Sequence, residues 1–314
     1  AQFGADGMRV AMLLSSSAGN DVMFDEALCE QGRNFGNKIW NAYRLVNGWT
    51  VDPTLVQSDN NRLAIEWFRQ TLSKALGQIE ADFASYRISE AFMTLYKLFW
   101  DDFSGWYLEM VKPAYQCPTD PATMEATRGF FDDLLRLLHP FMPFITEEIY
   151  QALPGSSETI MTEKWPGDEN MKIWAEDCAD FEKLMDYIKA VRAMRAEMNV
   201  HPAKKTSMII ETASPAAFEK GGAYLARFAF ATDVTVTGKY TGSTEGMVNV
   251  ATPDAKGFIP MMELIDREKE LARLNKELTK AEKELGMFTN QLNNPKFVEK
   301  APAKLVEETR AKLA

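Results

Sequence analysis

Residues 86–112, YRISEAFMTLYKLFWDDFSGWYLEMVK, place apolar side chains at Ile88, Ala91, Phe92, Leu95, Phe99 and Phe103. That is the three-to-four spacing of one helix face, and it continues through Trp106 and Met110. Pro113 stops it, because proline lacks an N–H and clashes with the preceding turn. The pattern predicts one helix over 86–112. Upstream, residues 60–83 repeat the period with Ala64, Phe68, Leu72, Ala75, Leu76, Ile79 and Phe83. Residues 31–47, QGRNFGNKIWNAYRLVN, do so with Phe35, Ile39, Ala42 and Val46. Downstream, Thr119-Asp120-Pro121 reads as a cap followed by a first-turn proline. The helix behind it carries Phe130, Phe131, Leu134 and Leu138 and breaks at His139-Pro140. A short helix near Thr146–Leu153 ends at Pro154-Gly155, and residues 178–198 present Phe181, Leu184, Ile188, Val191 and Met198. Long helices with short connections give a helical bundle.

The texture changes after Pro202. Thr206–Glu211 and Asp233–Thr237 are β-rich runs flanking a helix at about 215–229, and Gly246–Ala251 and Gly257–Ile259 read as further short strands. The final segment is the most regular. Leu264, Leu271, Leu278, Leu285 and Leu292 recur every seven residues, with Arg267, Leu274, Ala281 and Phe288 at the second seam position. Asn293-Asn294-Pro295 breaks this helix, and Ala303–Leu313 reads as helical again. An antiparallel hairpin would cover the leucine stripe; a parallel homodimer is the alternative. The fold class is therefore mainly α. Its expected parts are a segment at 1–20, a helical bundle at 21–203, a small α/β unit at 204–260 and a C-terminal coiled-coil hairpin at 261–314.

Composition sets the outer bounds. The chain has 314 residues, 46% hydrophobic and 25% charged, which excludes collagen-like and wholly disordered classes and suggests two or three domains. Cys29, Cys117 and Cys178 lie far apart. No CxxC pair signals zinc, and an odd count argues against a disulfide framework, so a reducing cytoplasm is expected. No apolar run reaches the roughly 18–20 residues of a membrane span. The opening AQFGADGMRV has neither a basic nor an apolar region of a signal peptide, and it lacks an initiator Met, as a piece of a longer chain would.

Net charge is −10, yet Met261–Ala314 holds 11 basic and 10 acidic residues, leaving 24 basic against 35 acidic elsewhere. An acidic balance argues against non-specific coating of nucleic acid. Local basic stretches remain. Arg33, Lys38 and Arg44 lie in a run free of acids, and Lys189, Arg192, Arg195, Lys204 and Lys205 face only Glu197. Such faces suit a reader of structured nucleic acid and an ordinary acidic protein alike.

Catalytic constellations are missing. There is no phosphate-cradling GxxxxGK[ST] and no GxGxxG. His139 and His201 each precede a proline at an element boundary, where a structural role is expected. Asp101-Asp102 and Asp132-Asp133 are adjacent on helices, so their side chains diverge, as on solvated faces. No catalytic residue and no metal ligand is assigned. The helix at 31–47 differs. Asn34, Asn37, Lys38, Asn41 and Arg44 form a polar face offset from its apolar stripe. Asparagine inside a helix costs about half a kcal/mol relative to alanine, so three on one face are a local cost. An amide both donates and accepts and can read a base edge, while Lys and Arg can hold phosphates. A solvated or bundle-buried polar face is the alternative.

Several long stretches, in order, resemble one family. GADGMRVAMLLSSSAGNDVMFDE followed by GRNFGNKIWNAYRLV resembles class I aminoacyl-tRNA synthetases of the Val/Ile/Leu group just after their catalytic core. FASYRISEAFMTLYKLFWDDFSGWYLEMVKP and LLRLLHPFMPFITEEIYQALP are similar to that group's anticodon-binding bundle. VRAMRAEMNVHPAKK and the lysine-rich ending resemble the valyl branch; the zinc module in which isoleucyl enzymes commonly end cannot be built from these cysteines. The resemblance implies tRNA-Val as partner. It places Asn37, Lys38 and Asn41 at anticodon bases, with Asn34 on the same face and Arg33 and Arg44 on phosphate or base. Trp40 and Tyr43 offer stacking faces but fit helix packing better. Arg267, Lys269, Arg273, Lys276, Lys280 and Lys283 would lean on the tRNA outer corner, unless those lysines, alternating with glutamates, merely solvate a coiled coil. The HIGH and KMSKS signatures occur nowhere and no editing domain is present. The resemblance therefore implies ATP and magnesium for the parent's ligase reaction and no cofactor in this chain, which would be inactive by itself, monomeric and cytoplasmic. Two rivals stand: an isoleucyl or leucyl relative with another RNA partner, and a non-RNA interaction module that dimerises through its heptads.

Overall fold

The structure is a computed structural model and describes residues 2–15, 25–167, 175–201, 204–264 and 267–293. The chain divides into two compact units, Ala1–Leu184 and Met185–Ala314. The first is helical. It comprises α1 (Gly4–Ser15), α2 (Glu26–Asn47), α3 (Asp59–Ala84), α4 (Ile88–Lys97), α5 (Leu108–Val111), α6 (Pro121–Leu138) and α7 (Pro143–Gln151), and α8 (Ala175–Glu197) begins in it. Local chemistry starts these helices. Asp25 caps α2 by accepting from the Ala27 N–H at 2.8 Å, and Ser58 caps α3 by accepting from Asn61 at 3.1 Å. Asp120 caps α6 by accepting from Thr123 at 2.8 Å, with Pro121 in the first turn, as its sequence predicts.

The core of this unit is aromatic. Phe35, Phe68, Phe92, Phe99, Phe103, Tyr107 and Phe131 are all buried. Phe68 stands 5.2 Å from Phe103, and 5.0 Å from both Tyr107 and Phe130. Each such ring contributes about 1.5–3 kcal/mol when fully buried. The Tyr107 hydroxyl donates to Thr127 Oγ1 at 2.8 Å, while Thr127 donates to the Thr123 carbonyl at 2.7 Å, so no polar atom of the pair is stranded. Burial pushes the Tyr107 phenol far above its ordinary range.

The expected single helix over 86–112 is interrupted. Leu98–Tyr107 is a π-helical stretch joining α4 to α5. Its wider turn rotates the chain while keeping Phe99, Phe103 and Trp106 in the core. Two other boundaries shift. The short helix begins at Pro143 rather than Thr146, since proline suits a first turn. The expected helix at 215–229 is two, α9 (Pro215–Lys220) and α10 (Gly222–Phe228), parted at Gly221. The sequence reading assigned no helix to residues 4–15, yet α1 packs closely on α2.

The second unit holds a four-stranded mixed sheet in the order β2-β1-β4-β3, made of β1 (Thr206–Thr212), β2 (Ala231–Thr237), β3 (Met247–Ala251) and β4 (Ala255–Pro260). β1 pairs parallel with β2 and antiparallel with β4, and β3 pairs antiparallel with β4. The parallel pair needs a crossover, which α9 and α10 supply. Along central β1, Thr206, Met208, Ile210 and Thr212 are buried in strict alternation. Leu264, read as the first heptad leucine, belongs instead to α11 (Met261–Leu264), where it is buried. The leucine stripe proper lies on α12 (Arg267–Asn293). Residues 294–314, with the proposed second arm of the hairpin, lie outside the described residues.

Candidate nucleic-acid interface

α2 sorts its side chains cleanly. Phe35, Ile39, Ala42 and Val46 are buried, whereas Asn34, Asn37, Asn41 and Arg44 are exposed. The Asn face is therefore neither buried in the bundle nor used to hold it together. Among the described residues, the amides of Asn37 and Asn41 have no side-chain hydrogen-bond partner, and no carboxylate pairs with Arg44. Asn34 is engaged only weakly, its carbonyl accepting from Arg33 at 3.4 Å.

The two flanking cations are held differently. Arg33 forms an ion pair with Glu30 at 2.7 Å, and its guanidinium lies 5.8 Å from the centre of the Phe3 ring. Lys38 is half-buried, with its ammonium 5.4 Å from the centre of the Trp100 ring, an attraction between a cation and the negative face of the indole. Trp100 comes from the π-helical stretch and stacks on Tyr96 at 5.5 Å. Trp40 and Tyr43 lie 5.6 Å apart; Tyr43 turns inward toward Phe131 at 6.4 Å, while Trp40 stays 38% exposed.

Beside this face a cleft of about 460 Å³ opens between α1, α2 and α7. Asn37, Arg33 and Trp40 form its α2 wall, and Phe144 and Glu148 its α7 wall. α1 fixes the far side. Asp6 accepts from the Ile145 N–H at 2.8 Å and the Phe144 N–H at 3.3 Å, and Arg9 donates to the carbonyls of Pro140 and Phe141 at 3.0 and 3.2 Å. Sequence reasoning missed Trp100, Phe144, Glu148 and Asp6. They lie on other helices, and no local spacing ties them to α2.

On α12, Lys276, Lys280 and Lys283 are exposed. The side chains of Arg267, Lys269 and Arg273 lie outside the described residues. Leu271, Leu278 and Leu285 are 51%, 57% and 55% exposed, so among the described residues the stripe is uncovered.

The His139 ring bonds Thr146 through Nδ1 at 2.8 Å, and burial holds its pKa below the ordinary value. The Asp132-Asp133 pair departs from its expectation, for both side chains are half-buried rather than fully solvated. Asp132 is half-buried and bonds Arg136, and burial raises its pKa. Burial first, and the charge of Asp132 second, push Asp133 up to about 6. No cluster among the described residues could hold a metal, and no helix among them is long and apolar enough to cross a membrane.

Comparison with known proteins gives this arrangement a class. The family described as "Anticodon-binding domain of tRNA ligase" matches residues 66–210, so the helical region is of the tRNA-ligase anticodon-binding type. The family described as "Valyl tRNA synthetase tRNA binding arm" matches residues 266–314. Valine–tRNA ligase of Parabacteroides distasonis is 44% identical over 100% of this chain and 35% of its own length. That of Porphyromonas gingivalis is 42% identical over 98% and 34%, and that of Clostridium perfringens 34% identical over 99% and 36%. The chain belongs to the valine–tRNA ligase family, corresponds to the C-terminal portion of these relatives and spans about a third of their length. α2 lies outside the anticodon-domain match and inside the whole-chain matches. A solved Agrobacterium radiobacter K84 agnB2 LeuRS complex covers 65% of the chain at 16% identity and a TM-score of 0.38, too distant to add to the assignment.

Proposed function

We propose that this chain grips tRNA-Val for a valine–tRNA ligase, reading the anticodon loop through α2 while the parent enzyme joins valine to the tRNA with ATP and magnesium. The observation that carries the reading is the exposed row of Asn37 and Asn41, whose amides have no partner among the described residues, with Lys38 and Arg44 beside it. Helix interiors disfavour asparagine, so an unpaired exposed row is better accounted for by a ligand than by the fold. Unpaired loop bases display the edges such amides match; Lys38 stands with them at the bases, where its charge also draws the neighbouring phosphates, and Arg44 serves phosphate or base. Asn34 and Arg33 extend the face toward the amino end of α2. Lys276, Lys280 and Lys283 on α12, with Arg267, Lys269 and Arg273, would contact the outer corner of the tRNA. The protein acts as a monomer in the cytoplasm and needs no cofactor of its own.

The experiment is binding of this chain to transcribed tRNA-Val at two salt concentrations, beside a transcript with the anticodon replaced. Preference for the native anticodon that survives higher salt supports base reading. Equal, salt-sensitive binding to both transcripts reduces the role of α2 to backbone attraction. Tighter binding to an isoleucine or leucine tRNA would move the chain to that branch. The uncovered leucines of α12 favour one other reading, a module that dimerises through them. A concentration-dependent dimer in sedimentation, without RNA binding, would decide for it.

A further inference from the structure

We propose that the second unit carries an RNA-backbone surface of its own, formed by Lys189, Arg192, Lys204 and Lys205 and held in shape by the buried Arg195. This rests on the reading that the chain grips tRNA-Val, and not on α2 as the reader of bases. The sequence sets five cations between Lys189 and Lys205 against the single Glu197, in a chain whose net charge is −10. The fold sorts them. Lys189, Arg192 and Lys205 are exposed and Lys204 is half-buried, whereas Arg195 is 5% exposed. Lys189 and Arg192 stand one turn apart on α8. Asp186 lies 3.3 Å from Lys189, but both side chains are more than half exposed, and so solvated a pair holds the lysine weakly.

Arg195 ties the other two lysines to this helix. Its Nη2 donates to the Lys204 carbonyl and, at 3.4 Å, to the His201 carbonyl. Its guanidinium lies 5.1 Å from the centre of the Phe230 ring, and the Thr206 N–H donates to the Phe230 carbonyl at 3.0 Å. Lys204 and Lys205 are thereby held between the end of α8 and the start of β1. Burying a guanidinium is costly. Nη1 has no partner, and among the described residues no carboxylate pairs with Arg195. An apolar side chain would fill the space without that cost. What the arginine adds is two anchored carbonyls, and so a fixed position for the cations beside them.

The charge selects the ligand. An acidic chain repels RNA, so a strand approaches where the sign reverses locally. Ammonium and guanidinium groups set along a helix and the turn after it match successive phosphates and carry no sequence information.

The test is the affinity of the full chain for transcribed tRNA-Val, and for the transcript with its anticodon replaced, across a salt series. Arg192→Gln combined with Lys205→Gln removes two exposed charges and leaves the core intact. It should weaken binding to both transcripts by the same factor and lower the slope of log affinity against log salt by about two. Arg195→Met should also lower the slope, by about one, although Arg195 is buried and meets no phosphate itself. Arg195→Lys, whose ammonium can still reach a carbonyl, should recover part of that loss. If Arg195→Met moves only the melting temperature, its positioning role is overturned; if it does not fold, the Arg192 and Lys205 pair still decides for or against the surface. If that pair leaves the slope of a tRNA-binding chain unchanged, or weakens one transcript only, the surface is overturned and the reading of α2 stands. A lowered slope in a chain without anticodon preference supports the surface and removes the reading of α2. A chain that binds no RNA overturns both.

Discussion

The Asp6 carboxylate lies 2.8 Å from the backbone N–H of Ile145 and so caps, from another helix, the amino end of α7. α7 has no side-chain cap of its own, since Met142 occupies that position. A carboxylate there satisfies otherwise orphaned N–H groups and opposes the positive end of the helix dipole. Asp6→Ala should therefore destabilise the first unit by about 1 kcal/mol. Asp6→Asn should cost less, because the amide oxygen still accepts. Denaturant melts of both variants check the order; equal stability of Asp6→Ala and the parent would show that water replaces the cap without loss.

Against α2, the same α1 sets a steric limit. A Cβ on Gly32 would stand 2.8 Å from the Gly7 carbonyl oxygen and 2.9 Å from the Gly7 Cα. Both are backbone atoms, so α1 would have to move off α2. Gly32→Ala should cost about 1–3 kcal/mol as overpacking. Gly77, in the interior of α3, meets nothing within 4 Å, so Gly77→Ala should stabilise by about 0.5–1 kcal/mol through helix propensity. Opposite signs from the same substitution, measured by urea unfolding, would separate close packing from backbone entropy.

These two cases show where the sequence was readable. The caps Asp120-Pro121 and the stripe Phe68, Leu72, Leu76 and Ile79 are local patterns, and the helices they predict are present. The polar face of α2 was legible because Asn34, Asn37 and Asn41 lie one helical turn apart, and their exposure follows from the buried stripe opposite. The π-helical stretch was not legible. Phe99, Phe103 and Trp106 keep an ordinary helical spacing, which does not distinguish the wider turn from an α-helix. The Asp6–Ile145 bond joins residues 139 positions apart, beyond any periodicity. The partial burial of Asp132 and Asp133 likewise comes from neighbours in space, which two adjacent acids on a helix do not announce.

Asp133 makes stability depend on pH. Its carboxyl is raised from 3.8 to about 6 by burial, then by Asp132. Between those values the folded chain holds a proton the unfolded chain has lost, so its contribution to stability falls as pH rises, and the penalty is complete above about 6. Asp133→Asn removes the penalty. After allowance for solvent screening, the variant should gain about 1 kcal/mol at pH 7.5 and nothing at pH 3.5. Denaturation at the two pH values tests the sign. A gain of equal size at both would point to packing rather than charge.

The amide face and its flanking cation should separate in kind when RNA is bound. Asn37→Ala or Asn41→Ala should cost about 1–3 kcal/mol and relax discrimination at one anticodon position, leaving the salt dependence as it was. Lys38→Ala should weaken binding to native and replaced anticodons alike and lower the salt slope by about one counterion. Trp100 holds the Lys38 ammonium from the π-helical stretch, 5.4 Å from its ring centre. Trp100→Leu should therefore mimic part of the Lys38 effect, and adding it to Lys38→Ala should cause little further loss. Trp100→Tyr, which keeps an aromatic face, should restore most of the affinity. If Trp100→Leu and Lys38→Ala add in full, the indole acts on RNA by itself and not through the lysine. If the asparagine variants leave discrimination untouched while Lys38→Ala weakens all RNAs equally, α2 holds the backbone and reads no base.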